Sequence, residues 1–357
     1  MDIATRVYNH KWKIDPIIRS LIDTDFYKLL MCQSVFRNKP QTEVTFSLIN
    51  RSTSVPLAHL IDEGELREQL DHTFYGKRQM FRPDFMEWFE NLRLPAYHLE
   101  RVGDQYELTF EGKWHEVMLW EISALAVLME LRSRAVLNDM GRFELQVLYA
   151  RAMTRVWEKI EQLRDIDGLS IADFGTRRRH GFLWQDWCVQ AMREGLGSKF
   201  TGTSNCLIAM RREVEAIGTN AHELPMVYSA LAADDAALAR APYDVLSDWH
   251  EEHDGNLRII LPDTYGTQGF LDHAPDWLAG WTGIRIDSGD PAAWAEVAIK
   301  WWQERGEDPL QKRVIFSDGL DVDKIAELHG KFAGRTKVSF GWGTLLTNDF
   351  RGLVPDD

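Results

Sequence analysis

The chain has 357 residues, 45% of them hydrophobic, and its 41 Lys and Arg stand against 55 Asp and Glu for a net charge of −14. That is globular composition, long enough for two domains or for one large barrel with an extension. So acidic a chain offers no general basic face to nucleic acid, and any anion site has to be local.

Residues 1–14 are polar, without the charged-then-apolar order of a signal, and the most apolar run, 122–131, is too short for a membrane span and carries Glu130. Cys32, Cys188 and Cys206 are widely spaced and lack a metal-ligand pattern, so they read as buried reduced thiols of a cytoplasmic protein. In chain order, Asp23, Thr24 and Asp25 each suit the cap of a helix through Leu29, Leu30 and Met31. Period-two alternation predicts strands over 42–51, 96–102, 105–110 and 114–120, a mixed sheet accompanied by helices near 62–70 and 83–92. A helical stretch over 121–164, broken near Gly141, leads to an apolar run at 169–174 that reads as a buried strand.

The helix after that strand carries Phe182, Trp184, Cys188 and Met192 on one face, so Arg177, Arg178 and Arg179 fall at a strand-to-helix junction. Cations are unfavourable there, because the first helical amides already present positive charge. Three in succession make sense where an anion accepts from amides and guanidinium forks together; the alternative is a solvated basic turn balanced by Asp173 and Asp186.

From Leu169 onward one pattern recurs. Apolar runs end in Asp173-Phe-Gly-Thr, Gly202-Thr-Ser-Asn, Gly218-Thr-Asn-Ala-His-Glu, Asp263-Thr-Tyr-Gly, Arg285-Ile-Asp-Ser-Gly-Asp, Phe316-Ser-Asp-Gly and Phe340-Gly-Trp-Gly-Thr, most of them separated by helical patterns such as 291–305 and 321–332. Strands alternating with helices imply a parallel sheet with its site at the strand carboxyl ends, and their number favours a barrel. The expected fold is α/β: an N-terminal α/β domain over 1–165, then an irregular, TIM-like α/β barrel over 166–357 carrying the site.

Together with Asp25-Phe-Tyr-Lys, this ordered motif set resembles that of the nicotinate phosphoribosyltransferase family over nearly the whole chain. The resemblance implies a type II phosphoribosyltransferase, a homodimer that joins nicotinate to phosphoribosyl pyrophosphate and releases pyrophosphate and nicotinate mononucleotide. It further implies ATP hydrolysis coupled through a transiently phosphorylated histidine, by position His222. Mg²⁺ is implied as a companion of phosphoribosyl pyrophosphate and ATP, with no protein-held metal site assigned.

Building positive charge on the sugar and negative charge on the leaving group calls for cations at the pyrophosphate and carboxylates near the ribose. Arg285 and Asp287, two apart on a strand, point to one side and suit Mg-pyrophosphate and ribose hydroxyls. By resemblance, Thr203, Ser204, Asp263, Ser317, Asp318, Gly319 and Thr344 join them, with Gly341 and Gly343 as a backbone cradle for the 5′-phosphate. A flat ring bearing a carboxylate calls for an aromatic sandwich and a guanidinium fork, and Phe174, Arg177 and Tyr27 match the family positions, Tyr27 coming from the partner subunit.

Each residue also has a plainer reading: His222 beside Glu223 as a structural histidine, Phe174 and Tyr27 as core aromatics, Asp23 or Asp25 as a cap, Asp263 as a turn closer, and the 14 tryptophans as packing. Family members continue past Gly343-Thr-Leu-Leu-Thr-Asn-Asp with a stretch returning to the N-terminal domain. With Asp357 as its last residue, the chain reads as truncated or as lacking that stretch. The nicotinamide-specific relative and a non-catalytic phosphosugar-binding barrel are the competing assignments.

Overall fold

The computed structural model describes residues 3–4, 17–18, 21–49, 56–64, 66, 83–253 and 255–354. Much of the expected helix at 62–70 and the end of the first expected strand lie outside them. The chain begins with α1 (Phe26–Asn38), β1 (Glu43–Leu48), α2 (Leu57–Leu60) and α3 (Pro83–Glu90). There follow β2 (Tyr97–Val102), β3 (Gln105–Lys113), α4 (Trp114–Val117), α5 (Trp120–Val136) and α6 (Arg142–Arg164).

The three strands form an antiparallel sheet in the order β1-β3-β2, not the mixed sheet expected. The period-two pattern holds in β3, where Tyr106, Leu108 and Phe110 are buried and pack into one cluster with Trp120, Ala124, Val127 and Leu128 of α5. The strand expected over 114–120 is instead helix α4 and the start of α5. Its apolar residues at 114, 117 and 118 are three and four apart, so one helical face buries all of them. The break near Gly141 is the start of α6, where the Gly141 N–H donates to the Glu144 carboxylate at 2.7 Å.

The second half carries β4 (Ile171–Asp173), α7 (Phe182–Leu196), β5 (Phe200–Thr203), α8 (Cys206–Arg212), β6 (Glu215–Ala216), α9 (Glu223–Ala230) and α10 (Asp235–Glu252). Then come β7 (Ile259–Ile260), α11 (Thr267–His273), β8 (Gly283–Ile286), α12 (Pro291–Glu304), β9 (Arg313–Phe316), α13 (Val322–Phe332), β10 (Lys337–Trp342) and α14 (Thr344–Thr347). The seven strands form one parallel sheet in the order β6-β5-β4-β10-β9-β8-β7. Read around a ring, that is sequence order with β10 returning beside β4, the arrangement of a barrel left open between β6 and β7. The Asn220 side-chain amide, after β6, spans the seam by donating to the Ile259 carbonyl of β7 at 3.1 Å. Helices over the faces explain why β4, β7 and β8 are buried at every residue.

The segment before α1 is stitched to the loop after β5. The Phe26 amide donates to the Ser204 carbonyl, and the Cys206 and Leu207 amides donate to the Thr24 and Ile22 carbonyls. Asp25 occupies the N-cap of α1, yet its side chain caps nothing and accepts from the Ser204 hydroxyl instead. Asp23 receives a fork from Arg179, at 2.6 and 3.0 Å, and an Asn205 amide at 2.8 Å, with both members of the ion pair fully buried. The three arginines therefore separate: Arg179 turns inward, Arg178 is exposed, and Arg177 faces the cleft described below. Neither aspartate of the balanced-turn alternative serves them, since Asp186 pairs with Arg212 and Asp173 accepts from Gly175, Gln185 and Thr203. Among the described residues no helix is long and apolar enough to cross a membrane.

A buried carboxylate stripped of its partner is costly, so Arg179→Met is expected to lower the free energy of unfolding in urea by about 3–5 kcal/mol. Asp23→Asn/Arg179→Met should lose less, because no unpaired charge remains.

Candidate active site

The carboxyl ends of β7, β8 and β9 and the loop after β6 meet at His222. Its Nε2 lies 2.8 Å from Asp263 Oδ1, and the Ser288 hydroxyl donates to the other oxygen of Asp263 at 2.5 Å. Burial pushes the Asp263 carboxyl up, but the hydrogen bonds from His222 and Ser288 outweigh it and hold the group below the usual carboxylate range. An ionised carboxylate only accepts, so the proton of a neutral His222 sits on Nε2. The lone pair is left on Nδ1, which lies 4.0 Å from Asp287 Oδ2.

Asp287 is held from two sides, by the Ser317 hydroxyl after β9 and by Arg285, whose Nη2 is 3.6 Å away. Nη1 of the buried Arg285 donates to the Asn220 carbonyl at 2.9 Å. Asn220 thus closes the barrel seam with its side chain and positions Arg285 with its backbone.

Beside this group lies a charged network. Arg177 Nη1 donates to Glu121 of α5 at 3.0 Å. Glu121 also receives the ammonium of Lys28 from α1, and the same ammonium contacts Glu223, the residue after His222. The second oxygen of Glu223 accepts from the Trp114 indole at 2.6 Å. Burial pushes the Lys28 ammonium down, yet the two carboxylates outweigh it and hold its pKa above the usual lysine value. Burial likewise raises the Tyr27 phenol, which keeps its proton within electrostatic reach of Arg177, Glu121 and Asp25.

Glu121, Arg177, His222 and Asp287 of these groups border a cleft of about 890 Å³. Arg177, Arg178, His222, Asp287 and Thr344 line its barrel side, facing Phe46, Leu48, Phe110, Leu128 and Met129 from β1, β3 and α5. Of the residues expected from sequence, Arg177, His222, Asp287 and Thr344 therefore share one cavity, with Arg285, Asp263 and Ser317 bonded directly behind. Tyr27 lies within electrostatic reach of Arg177 of its own chain. Phe174 is half-buried with its ring on Gly341.

Thr203 and Ser204 are buried and spend their hydroxyls on Asp173 and Asp25, so they stand behind the site. A Cβ on Gly341 would lie 2.3 Å from the Phe174 ring, and Gly341 pairs with Ala172 across β4 and β10. Its missing side chain makes room for the ring, while Thr344 lines the cleft. Asp318 and Gly319 occupy the exposed turn after β9, where the Asp318 carbonyl accepts from Lys324. Sequence reasoning missed Glu121, Ser288 and the joint role of Asn220, and it quoted Lys28 and Glu223 without a function. Alternation and capping carry no signal for a pair 195 residues apart.

Among the described residues no three of His, Cys, Asp and Glu gather as a metal cage. The donor set at the cleft, Asp287 with Asp263 behind it, suits Mg²⁺ that arrives on phosphates and needs only one or two carboxylates from the protein.

The profile of the Nicotinate phosphoribosyltransferase (NAPRTase) family matches residues 169–354, more than half of the chain. The chain belongs to the nicotinate phosphoribosyltransferase family. The profile of the NAPRTase N-terminal domain matches residues 22–129. The Lys28 network joins the two matches, since Lys28, Trp114 and Glu121 fall in one and Arg177 and Glu223 in the other. Among solved structures, the chain is similar to a nicotinate phosphoribosyltransferase from Porphyromonas gingivalis, at 28% identity and a TM-score of 0.84, over 94% of this chain and 87% of that one. It is also similar to one from Vibrio cholerae, at 30% identity and a TM-score of 0.79, over 94% and 82%. The barrel-plus-sheet architecture is thus that of the NAPRTase fold.

Because the Phe174 ring fills the space a methyl would need, Gly341→Ala is expected to cost about 1–3 kcal/mol of stability by overpacking. Thermal unfolding checks this, and Phe174→Leu in the same chain should recover part of the loss.

Proposed function

We propose that this protein forms nicotinate mononucleotide and pyrophosphate from nicotinate and phosphoribosyl pyrophosphate, with ATP hydrolysis coupled through phosphorylation of His222, in pyridine nucleotide salvage. The observation that carries the reading is the meeting, in one cleft of a family member, of a guanidinium suited to a ring carboxylate (Arg177) with a carboxylate-oriented histidine (His222–Asp263).

In the transfer, the pyridine nitrogen bonds to the anomeric carbon as the bond to the pyrophosphate oxygen breaks. Arg285 neutralises the departing pyrophosphate, and Asp287 stabilises positive charge gathering on the ribose ring. Asp287 would help hold Mg²⁺ arriving on the phosphates, and the ion would supply further neutralisation of the leaving group. Arg177 grips the ring carboxylate, Phe174 and Tyr27 supply aromatic surface, and Gly343 with Thr344 receives the 5′-phosphate. In the coupled reaction, the Nδ1 lone pair of His222 attacks the terminal phosphorus of ATP. The N–P bond forms as the P–O bond to ADP breaks, while Nε2 keeps its proton and donates it in a hydrogen bond to Asp263, whose charge stabilises the resulting ring. The working unit in this reading is a homodimer, with Tyr27 contributed to the site across the subunit interface.

Purified protein with Mg²⁺ and phosphoribosyl pyrophosphate should give mononucleotide from nicotinate, faster with ATP, and none from nicotinamide. Consumption of nicotinamide instead would move the assignment to the amide-specific relative, and turnover of neither base would contradict the reading. His222→Ala should take up no label from terminally labelled ATP while retaining slow, ATP-independent transfer; undiminished labelling would remove His222 from its role.

A further inference from the structure

The network around Lys28 extends well beyond what binding nicotinate requires. The Lys28 side chain is fully buried, yet its ammonium is shared by two carboxylates with separate duties. Glu121 bonds Arg177, and so decides how much of the guanidinium charge is left for a ligand. Glu223 directly follows His222 and opens α9, so its grip on Lys28 and Trp114 sets the height of the loop from Gly218 to His222. That loop is fitted to the same helix a second time. A Cβ on Gly218 would lie 2.5 Å from the Tyr27 amide nitrogen, so the loop packs on the backbone just before Lys28.

We propose that Lys28 is a positioning residue that serves both halves of the site, holding Arg177 available through Glu121 and His222 in register through Glu223. This rests on the functional reading above and adds a division of labour to it. Without the ammonium, Glu121 has only Arg177 to lean on and takes up its charge, while Glu223 becomes a buried carboxylate short of a counter-ion and pulls on the histidine loop. The two consequences are separable, because each runs through a different carboxylate.

The test measures nicotinate affinity and phosphoribosyl pyrophosphate affinity by calorimetry, together with labelling of His222 from terminally labelled ATP. Lys28→Met should weaken nicotinate binding and slow labelling by about tenfold or more each, the scale for removing one partner of a buried charge pair. Phosphoribosyl pyrophosphate binding should stay near that of the unmodified protein. Lys28→Met/Glu121→Gln should restore nicotinate binding but not labelling, and Lys28→Met/Glu223→Gln should restore labelling but not nicotinate binding. The double variants bury one carboxylate charge fewer, so they carry the test even where the single variant does not fold. Readouts that fall or recover together, with phosphoribosyl pyrophosphate affinity moving alongside, would reduce Lys28 to a structural role and overturn the proposal. Unmodified protein that neither binds nicotinate nor takes label would overturn the functional reading and the proposal with it.

Discussion

An ammonium without exposed surface forfeits its hydration, and several kcal/mol of desolvation have to be offset by its partners. Lys28 recovers this from Glu121 and Glu223, and Arg177 completes a quartet of two cations and two acids, in which burial pushes the Glu223 carboxyl up while Lys28 and Arg177 hold Glu121 down. The four residues come from α1, α5, the turn after β4 and the start of α9. A hydrogen-bonded quartet tolerates only a narrow range of distances between those elements, and that constraint fixes the relation of the first sheet's helices to the barrel mouth. Asp23 and Arg179 repeat the device one turn away with a fully buried pair. Two such pins leave the apolar core free to run continuously from α1 and α6 into the barrel.

This arrangement explains how an acidic protein accommodates anionic substrates. In the proposed function the charges that would attract phosphate and carboxylate are few and placed: Arg285 anchored by the Asn220 carbonyl, Arg177 divided between Glu121 and the cleft, and amides at Gly343 and Thr344. None of them depends on net charge, and each is held by a bond to another element rather than by its own flexibility, so little side-chain entropy is lost when a ligand arrives.

The barrel was legible in the sequence through chemistry at its strand ends rather than through the strands. β6 and β7 have two residues each, too few for any periodicity, yet Gly-Thr-Asn-Ala-His-Glu and Pro-Asp-Thr-Tyr-Gly mark where they stop. The helix at 114–120 was misread because Trp, Val, Met and Leu fit both alternation and a helical face, and burial decides between them. Thr203, Ser204 and Gly341 carry ligand roles by resemblance alone, and the sequence does not reveal the contacts they make with Asp173, Asp25 and Phe174. The Lys28 quartet was invisible for a simpler reason: its members are distributed from residue 28 to residue 223, and only the folded chain makes them adjacent.

The central claim is that one chain assembles the ring-carboxylate subsite and the reactive histidine on a single charged spine. A crystal structure of the protein with nicotinate and Mg²⁺-pyrophosphate tests it most directly. The account predicts the carboxylate on Arg177 while Arg177 still holds Glu121 and Lys28 still bridges Glu121 to Glu223, with pyrophosphate at Arg285. Nicotinate bound elsewhere, or a quartet broken apart when the ligand enters, would contradict it.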